Sequence, residues 1–237
     1  MCIVSYVHRK NGFILTSNRD ENPNRKTINP DYYFIDNQTF IFPKDKKAGG
    51  TWFAINCTKS QVGCILNAQQ PHHKKSNQSR GVFLLNHLKK FRFYQNLTAR
   101  HFQNLPPFEY LFIDYKQKYP QFRTYYWDGQ KLLNKKSEPL KNELWSSKSL
   151  YSREKHSENL SSYNRWIKQN PNFNQESVMQ LHEDYFVQGL KSKNFHRHQQ
   201  TLNIQTVSIT SLSVDGDNKK LVYRDLISKE ITEREFY

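Results

Sequence analysis

The chain has 237 residues, of which 36 are Lys or Arg and 21 are Asp or Glu, so that its formal net charge is +15. Apolar residues make up 36% of the chain and aromatic residues 14%, enough for a sizeable core, which argues against wholesale disorder. The length predicts one substantial domain or at most two small ones. No apolar run approaches the roughly 18 residues that a membrane helix needs.

The amino terminus and the cysteines indicate the cellular compartment of the protein. The opening, MCIVSYVHRKNG, has no basic segment ahead of its apolar run, so we expect no signal peptide. The three cysteines, Cys2, Cys57 and Cys64, cannot all pair within one chain and lack C-x-x-C spacing. We therefore expect a soluble, cytoplasmic protein without a transmembrane segment, in a reducing compartment.

The positive charge is concentrated in the middle of the chain. Residues 71–170 hold 19 basic and seven acidic side chains, a surplus of 12 out of the total of 15. Such a surplus is typical of proteins that bind nucleic acid, an anionic membrane surface or an anionic small molecule. Composition alone does not choose among these partners.

The first half of the chain predicts an antiparallel sheet followed by a helix. Two β-rich runs, residues 2–7 and 13–18, flank Asn11-Gly12 and indicate a hairpin. Further strands, bounded by polar or Gly/Pro turns, are predicted at residues 33–35, 40–42, 52–57 and 62–67. Apolar residues at helical spacing then predict an amphipathic helix with a basic outer face, namely Val82, Leu84, Leu85, Leu88 and Phe91.

The second half mixes strands and helices. Strands are predicted at residues 110–115, 122–127 and 131–133, helices at about 160–167 and 178–186, and a final hairpin at 204–213 and 221–223. No repeat or low-complexity linker separates these parts. We therefore expect one α+β domain that covers residues 1–237.

Position 2 carries the most informative chemistry. If Met1 is removed, Cys2 becomes the first residue and has a thiol and a free α-amine on the same carbon. The reference pKa of such an amine is about 8 and that of the thiol about 8.5, so the amine can take the thiol proton near neutral pH. The alternative is a small apolar residue that merely begins a strand.

The hairpin places a polar tetrapeptide, NRDE at residues 18–21, beside Cys2. A guanidinium from Arg19 favours a thiolate electrostatically, and a carboxylate from Asp20 holds an α-amine. Taken without Cys2, the same residues are typical of a solvated turn or a structural ion pair.

These motifs resemble a known family. MCI at the start, NRDE at 18–21, GGTW at 49–52 and SRG at 79–81 are similar to the NRDE family, also called the transport and Golgi organisation protein 2 family. The resemblance implies a four-layer αββα sandwich of antiparallel sheets, similar to N-terminal-nucleophile hydrolases such as the bile-salt hydrolases and penicillin V acylases.

The resemblance also implies roles for individual residues. Cys2 attacks an amide, while Arg19 and Asp20 tune its thiol and amine. Asn67, in the place of the asparagine of the family's L-T-N pattern, donates to an oxyanion or instead forms a turn.

The remaining candidates are ligand contacts. Asn18, Thr51 and Trp52 are candidate substrate-binding residues, although Trp52 is also typical of a core. A tight backbone conformation explains Gly49 and Gly50 most simply.

Two stretches depart from the family pattern. The family's G-L-S-N appears as residues 144–147, which puts Ser147 in place of an asparagine, and its T-R-S-S-T-V appears as residues 202–207, which puts Asn203 in place of an arginine. Two functions therefore stay open. One is hydrolysis of a non-peptide amide of a small, anionic molecule, and the other is non-catalytic binding or trafficking of haem or acyl lipids, as the family implies.

The other polar clusters carry weaker signals. His182, His196 and His198 have no further ligand at a recognisable spacing, so we interpret them as surface histidines and expect neither a metal nor a cofactor. No nucleic-acid signature accompanies the cations and aromatics of residues 88–94. We therefore expect Lys89, Lys90 and Arg92 to attract an anionic small molecule and not nucleic acid.

Overall fold

The computed structural model describes residues 3–68, 78–90, 97–137, 140–187 and 203–237. Within these residues it contains two antiparallel sheets, of six and seven strands, and three α-helices. The predicted α+β class is confirmed. No helix among the described residues is long and apolar enough to cross a membrane.

The strands, in chain order, are β1 Ile3–Arg9, β2 Gly12–Glu21, β3 Thr27–Ile35, β4 Gln38–Asp45, β5 Phe53–Asn56, β6 Gln61–Asn67, β7 Phe108–Asp114, β8 Gln121–Trp127, β9 Leu132–Ser137, β10 Glu143–Ser146, β11 Gln205–Asp215, β12 Asn218–Asp225 and β13 Ile231–Phe236. The α-helices are α1 Arg80–Lys90, α2 Arg153–Gln169 and α3 Gln175–Phe186, and a 3₁₀ turn covers Ala99–Phe102.

The chain divides into two compact units, one made of residues 1–24 and 141–237 and the other of residues 25–140. The six-stranded sheet, in the order β10-β1-β2-β11-β12-β13, belongs to the first unit, and the seven-stranded sheet, β3 to β9 in sequence order, belongs to the second. The single domain and the four-layer arrangement stay predictions.

The opening hairpin is confirmed. β1 and β2 pair antiparallel around a loop of Lys10 and Asn11, with Arg9 opposite Gly12 and Val4 opposite Ser17. β2 is buried from its first residue to Asp20. Because it has β1 on one side and β11 on the other, it is a central strand, and both of its faces are inside the protein.

Helices α2 and α3 pack on one face of the six-stranded sheet. Strand residues such as Ile3, Val7 and Ile14 share an apolar cluster with Tyr163 of α2 and Leu181 of α3. Each helix begins at a side-chain cap, since Ser152 accepts from the Lys155 N–H and Asn174 from the Ser177 N–H. This packing holds α3 against the end of β2 that carries the NRDE tetrapeptide.

Helix α1 belongs to the second unit, where it contacts β5 and β6. Its last turn is held by Lys59, whose ammonium donates to the carbonyls of Leu88 at 3.1 Å and Lys89 at 2.5 Å. The predicted basic outer face is only partly present, because the Lys89 side chain is mostly buried and forms an ion pair with Asp36 at 3.0 Å.

Candidate functional site

The candidate site begins where β2 ends. Asn18, Arg19 and Asp20 are all buried, with exposed fractions of 0, 2 and 3%. Cys2 lies outside the described residues, but one peptide bond joins it to Ile3, the first residue of β1. A peptide bond sets consecutive Cα atoms about 3.8 Å apart, so Cys2 follows directly from the end of β1 that lies beside this tetrapeptide.

Asp20 is fixed in position by two hydroxyl groups. Tyr151 Oη donates to its Oδ2 at 2.8 Å, and Thr206 Oγ1 donates to its Oδ1 at 2.6 Å. Both donors are buried, and Thr206 is also the strand partner of Asp20 on β11. A carboxylate has about four acceptor directions, so Asp20 can also accept from a further donor such as an α-amine.

This arrangement predicts that Tyr151→Phe lowers the free energy of unfolding by about 2 kcal/mol, because a hydrogen bond to a buried carboxylate is lost. Urea unfolding followed by circular dichroism measures the change. The exposed Tyr185 provides the control, since Tyr185→Phe is expected to change stability by less than about 0.5 kcal/mol. Equal effects of the two variants would contradict the assigned contact.

Asn18 takes part in a second buried network. Its Nδ2 donates to the Phe186 carbonyl at 3.2 Å, and its Oδ1 lies 2.7 Å from His182 Nδ1. His182 Nε2 lies in turn 2.7 Å from Ser5 Oγ. These contacts join α3 to β1 and β2, and Asn18, His182 and Ser5 are all fully buried.

The orientation of the Asn18 amide determines which groups in this network donate. Because its Nδ2 donates to a carbonyl, its Oδ1 faces His182 and accepts from Nδ1–H. Nε2 is then an acceptor, and the Ser5 hydroxyl donates to it. The interpretation of His182 as a surface histidine was wrong, because four residues after Val178 places it on the apolar side of α3, while Tyr185 is exposed.

Burial lowers the pKa of His182 to about 3. A second buried histidine, His87, lies 2.6 Å from Tyr110 Oη, and burial together with nearby His101 and Lys59 lowers its pKa to about 3 as well. Both imidazoles are therefore neutral in the folded protein at neutral pH.

These low pKa values predict acid sensitivity. A histidine with a folded pKa near 3 and an unfolded pKa of about 6.5 contributes stability above pH 6.5, and this contribution is lost as the pH falls from 6.5 towards 3. Between pH 7 and pH 5 each histidine is expected to account for about 2 kcal/mol of lost stability. Urea unfolding at both pH values measures the loss, which should shrink in His182→Gln; an unchanged loss would contradict the shift.

Arg19 lies on the other face of the sheet. Because side chains alternate along a strand, Arg19 and Ser17 point away from the face on which Asn18 contacts α3. Their partners on β11 are Ser208 and Thr210. A β-bulge separates Thr206 from Ser208, so that β11 presents Thr206 to Asp20 on one face and Ser208 beside Arg19 on the other.

The remaining predicted site residues belong to the second unit. Asn67 is the last residue of β6 and half-buried. Thr51 and Trp52 are buried between β4 and β5. The Thr51 hydroxyl donates to the Phe53 carbonyl at 2.9 Å and accepts from the Phe53 N–H at 3.2 Å, so its hydrogen is used within the chain. The roles of these residues stay predictions.

The motif glycines permit a tight turn and a close backbone contact at the start of α1. Gly49 has a φ of 70°, which confirms the predicted tight backbone. A Cβ on Gly50 would lie 2.5 Å from the Gly81 carbonyl carbon, and a Cβ on Gly81 would lie 2.6 Å from Thr51 N. The GGTW and SRG motifs therefore meet backbone to backbone, which no larger residue permits.

Arg80 and Asn67 are linked through Pro107. Arg80 donates to the Pro107 carbonyl at 2.9 Å, and the same oxygen accepts from the N–H of Ala68, which follows Asn67. The motif residues of the second unit thus gather around the first turn of α1.

The two departures from the family pattern have different surroundings. Ser147 is fully buried, and its hydroxyl lies 2.9 Å from that of Ser149. Its carbonyl accepts from the N–H groups of Leu150 and Tyr151. Ser147 therefore belongs to the turn that positions Tyr151 beside Asp20. Asn203 is exposed and has a φ of 55°.

Several residues singled out in the sequence lie outside the described ranges, namely Cys2, Phe91, Arg92, His196 and His198. Among the described residues, no three His, Cys, Asp or Glu side chains gather closely enough to hold a metal ion.

Sequence reasoning missed Tyr151, Thr206, His182 and Ser5. Thr206 lies in the T-V stretch that resembles the family pattern, and helical spacing marks His182 as buried. Tyr151 and Ser5 have no such signal, because their partners are far away in the sequence.

Two comparisons with known proteins bear on this chain. A family model described as Transport and Golgi organisation 2 matches residues 1–220. No curated protein matches the sequence.

Proposed function

This chain belongs to the Transport and Golgi organisation 2 family, and from that premise we propose that it is a hydrolase with an N-terminal cysteine nucleophile. Its substrate is a non-peptide amide of a small, anionic molecule. Removal of Met1 exposes Cys2. The observation that carries the proposal is the buried Asp20, oriented by Tyr151 and Thr206 at the strand end beside β1.

The proposed reaction has two steps. The α-amine of Cys2 takes the thiol proton, and the thiolate sulfur forms a bond to the amide carbonyl carbon. The C–N bond breaks, and the leaving amine takes the proton from the α-ammonium. Water then hydrolyses the thioester and restores the thiol.

The surrounding residues have separate roles in this proposal. Asp20 accepts from the α-ammonium and holds it near the thiol, and Arg19 favours the thiolate. Asn67 donates to the oxyanion, and Thr51 and Trp52 contact the ligand. The predicted substrate contact by Asn18 gives way to a positioning role, because its amide bonds to Phe186 and His182 and holds α3 against β2. We also propose that the chain forms a single domain with the four-layer fold of N-terminal-nucleophile hydrolases.

The experiment is a screen of acylated amines with the full chain, in which release of the free amine is measured. Cys2→Ala is expected to lower the rate at least about a thousandfold, because the nucleophile is lost. Cys57→Ala is the matched control and should keep the wild-type rate. Turnover that survives in Cys2→Ala would remove Cys2 from the mechanism.

A second candidate function is non-catalytic binding of haem or an acyl lipid. The observation that favours it is the pair of departures, since Ser147 has its hydroxyl beside Ser149 and Asn203 is exposed where the family pattern has an arginine. Titration with haem and with acyl-CoA tests it. Tight binding that Cys2→Ala leaves unchanged, without turnover of any amide, would support this function over hydrolysis.

A further inference from the structure

Four polar side chains lie together on the sheet face opposite α2 and α3. Ser17 and Arg19 of β2 pair with Thr210 and Ser208 of β11, respectively. Paired Cα atoms in an antiparallel sheet are about 5 Å apart, and residues two apart in one strand are about 7 Å apart. The four side chains therefore stand at the corners of a small rectangle.

Two of the four have unmet hydrogen bonds. Ser208 and Thr210 are fully buried, and within the described part of the chain neither Ser208 Oγ nor Thr210 Oγ1 has a hydrogen-bond partner. Ser17 Oγ donates to the Asn18 carbonyl at 3.3 Å. A buried hydroxyl without a partner is costly, and in folded proteins an ordered water usually satisfies such a group.

The arrangement suits one water molecule. One water oxygen can bond to two hydroxyl oxygens when these are within about 5.5 Å of each other. Two side chains on the same face of one strand can bring their hydroxyls that close. Buried waters typically make about three hydrogen bonds, and the Ser17 hydroxyl or the Arg19 guanidinium, across the strand pair, can provide the third.

We propose that Ser208 and Thr210 hold one water molecule beside Arg19, and that this water hydrolyses the acyl-enzyme. The second part rests on the proposed function. The water oxygen bonds to the acyl carbonyl carbon, the C–S bond breaks, and the water proton passes through the α-amine to the departing thiolate. A carboxylic acid leaves, and Cys2 is restored.

The water site is tested first, by thermal unfolding of the full chain without substrate. Ser208→Ala and Thr210→Val each remove one hydroxyl, and Thr210→Val keeps the side-chain shape. If one water bridges both groups, each variant lowers Tm, and the double variant lowers it little further, since the first change already loses the water. Unchanged or raised Tm values in the single variants would overturn the site. So would decreases in Tm that simply add in the double variant. Ser213→Ala, on the same strand outside the rectangle, is the matched control.

The role in hydrolysis is tested with p-nitrophenyl acetate. Release of p-nitrophenol in a burst reports acylation, and the steady rate afterwards reports hydrolysis. Ser208→Ala and Thr210→Val are expected to keep the burst and to lower the steady rate about tenfold or more, because the attacking water is no longer positioned. An unchanged steady rate would overturn the role.

The two failures can be told apart. If the wild-type protein gives no burst that depends on Cys2, the proposed function fails and the hydrolytic role fails with it, while the unfolding measurements still decide the water site.

Discussion

Replacement of His182 by alanine is expected to lower the free energy of unfolding by about 4 kcal/mol. The change removes a fully buried ring and leaves the Ser5 hydroxyl and Asn18 Oδ1 without their partner. The cavity and the two unsatisfied polar atoms each cost stability. Urea unfolding at pH 7 measures the change as a lower midpoint with an unchanged slope.

Two further variants make this test specific. His182→Gln keeps polar atoms in the same space and is expected to cost about half as much, since only part of the network is lost. Gln180→Ala, at an exposed position on α3, should change stability by less than about 0.5 kcal/mol. A His182→Ala protein as stable as the wild type would show that the network contributes nothing.

Gly81→Ala is expected to cost about 3 to 4 kcal/mol. Its Cβ would lie 2.6 Å from both Thr51 N and Thr51 O, and these backbone atoms can move away only if α1 shifts from the loop that precedes β5. Overpacking against backbone is among the more destabilising substitutions. The midpoint of urea unfolding measures the cost.

The neighbouring glycines separate crowding from backbone conformation. Gly49 has a positive φ but no atom within 4 Å of its Cβ position, so Gly49→Ala is expected to cost only about 1 kcal/mol. Gly50→Ala crowds the same contact as Gly81→Ala, and the costs of the two should not add. Simple additivity would mean that they do not share one contact.

Local patterns in the sequence predicted most of the strands and helices. Alternation and an Asn-Gly pair identified the first hairpin, and helical spacing identified α1, α2 and α3. The sequence did not predict β10 and β13. β10 has only four residues, which is too few for a periodic signal. In β13 exposed positions alternate with half-buried ones, and three of its six residues are charged, so the apolar alternation of a strand is missing.

The candidate site was only partly predictable for a different reason. Asn18, Arg19 and Asp20 are contiguous, so a motif reveals them. Tyr151 and Thr206 lie 131 and 186 residues from Asp20 in the sequence, and only the folded chain brings them to its carboxylate. The unmet hydroxyls of Ser208 and Thr210 likewise depend on strand register and on a β-bulge, neither of which has a clear sequence signal.

Alkylation of the full chain with iodoacetamide at pH 6 tests whether Cys2 is an activated N-terminal nucleophile. Mass spectrometry of the peptides identifies the first residue and gives the rate at each cysteine. We expect a chain that begins at Cys2, with this thiol alkylated at least about tenfold faster than Cys57 and Cys64, because a thiolate is the reactive form. Retention of Met1, or equal rates at the three cysteines, would contradict it.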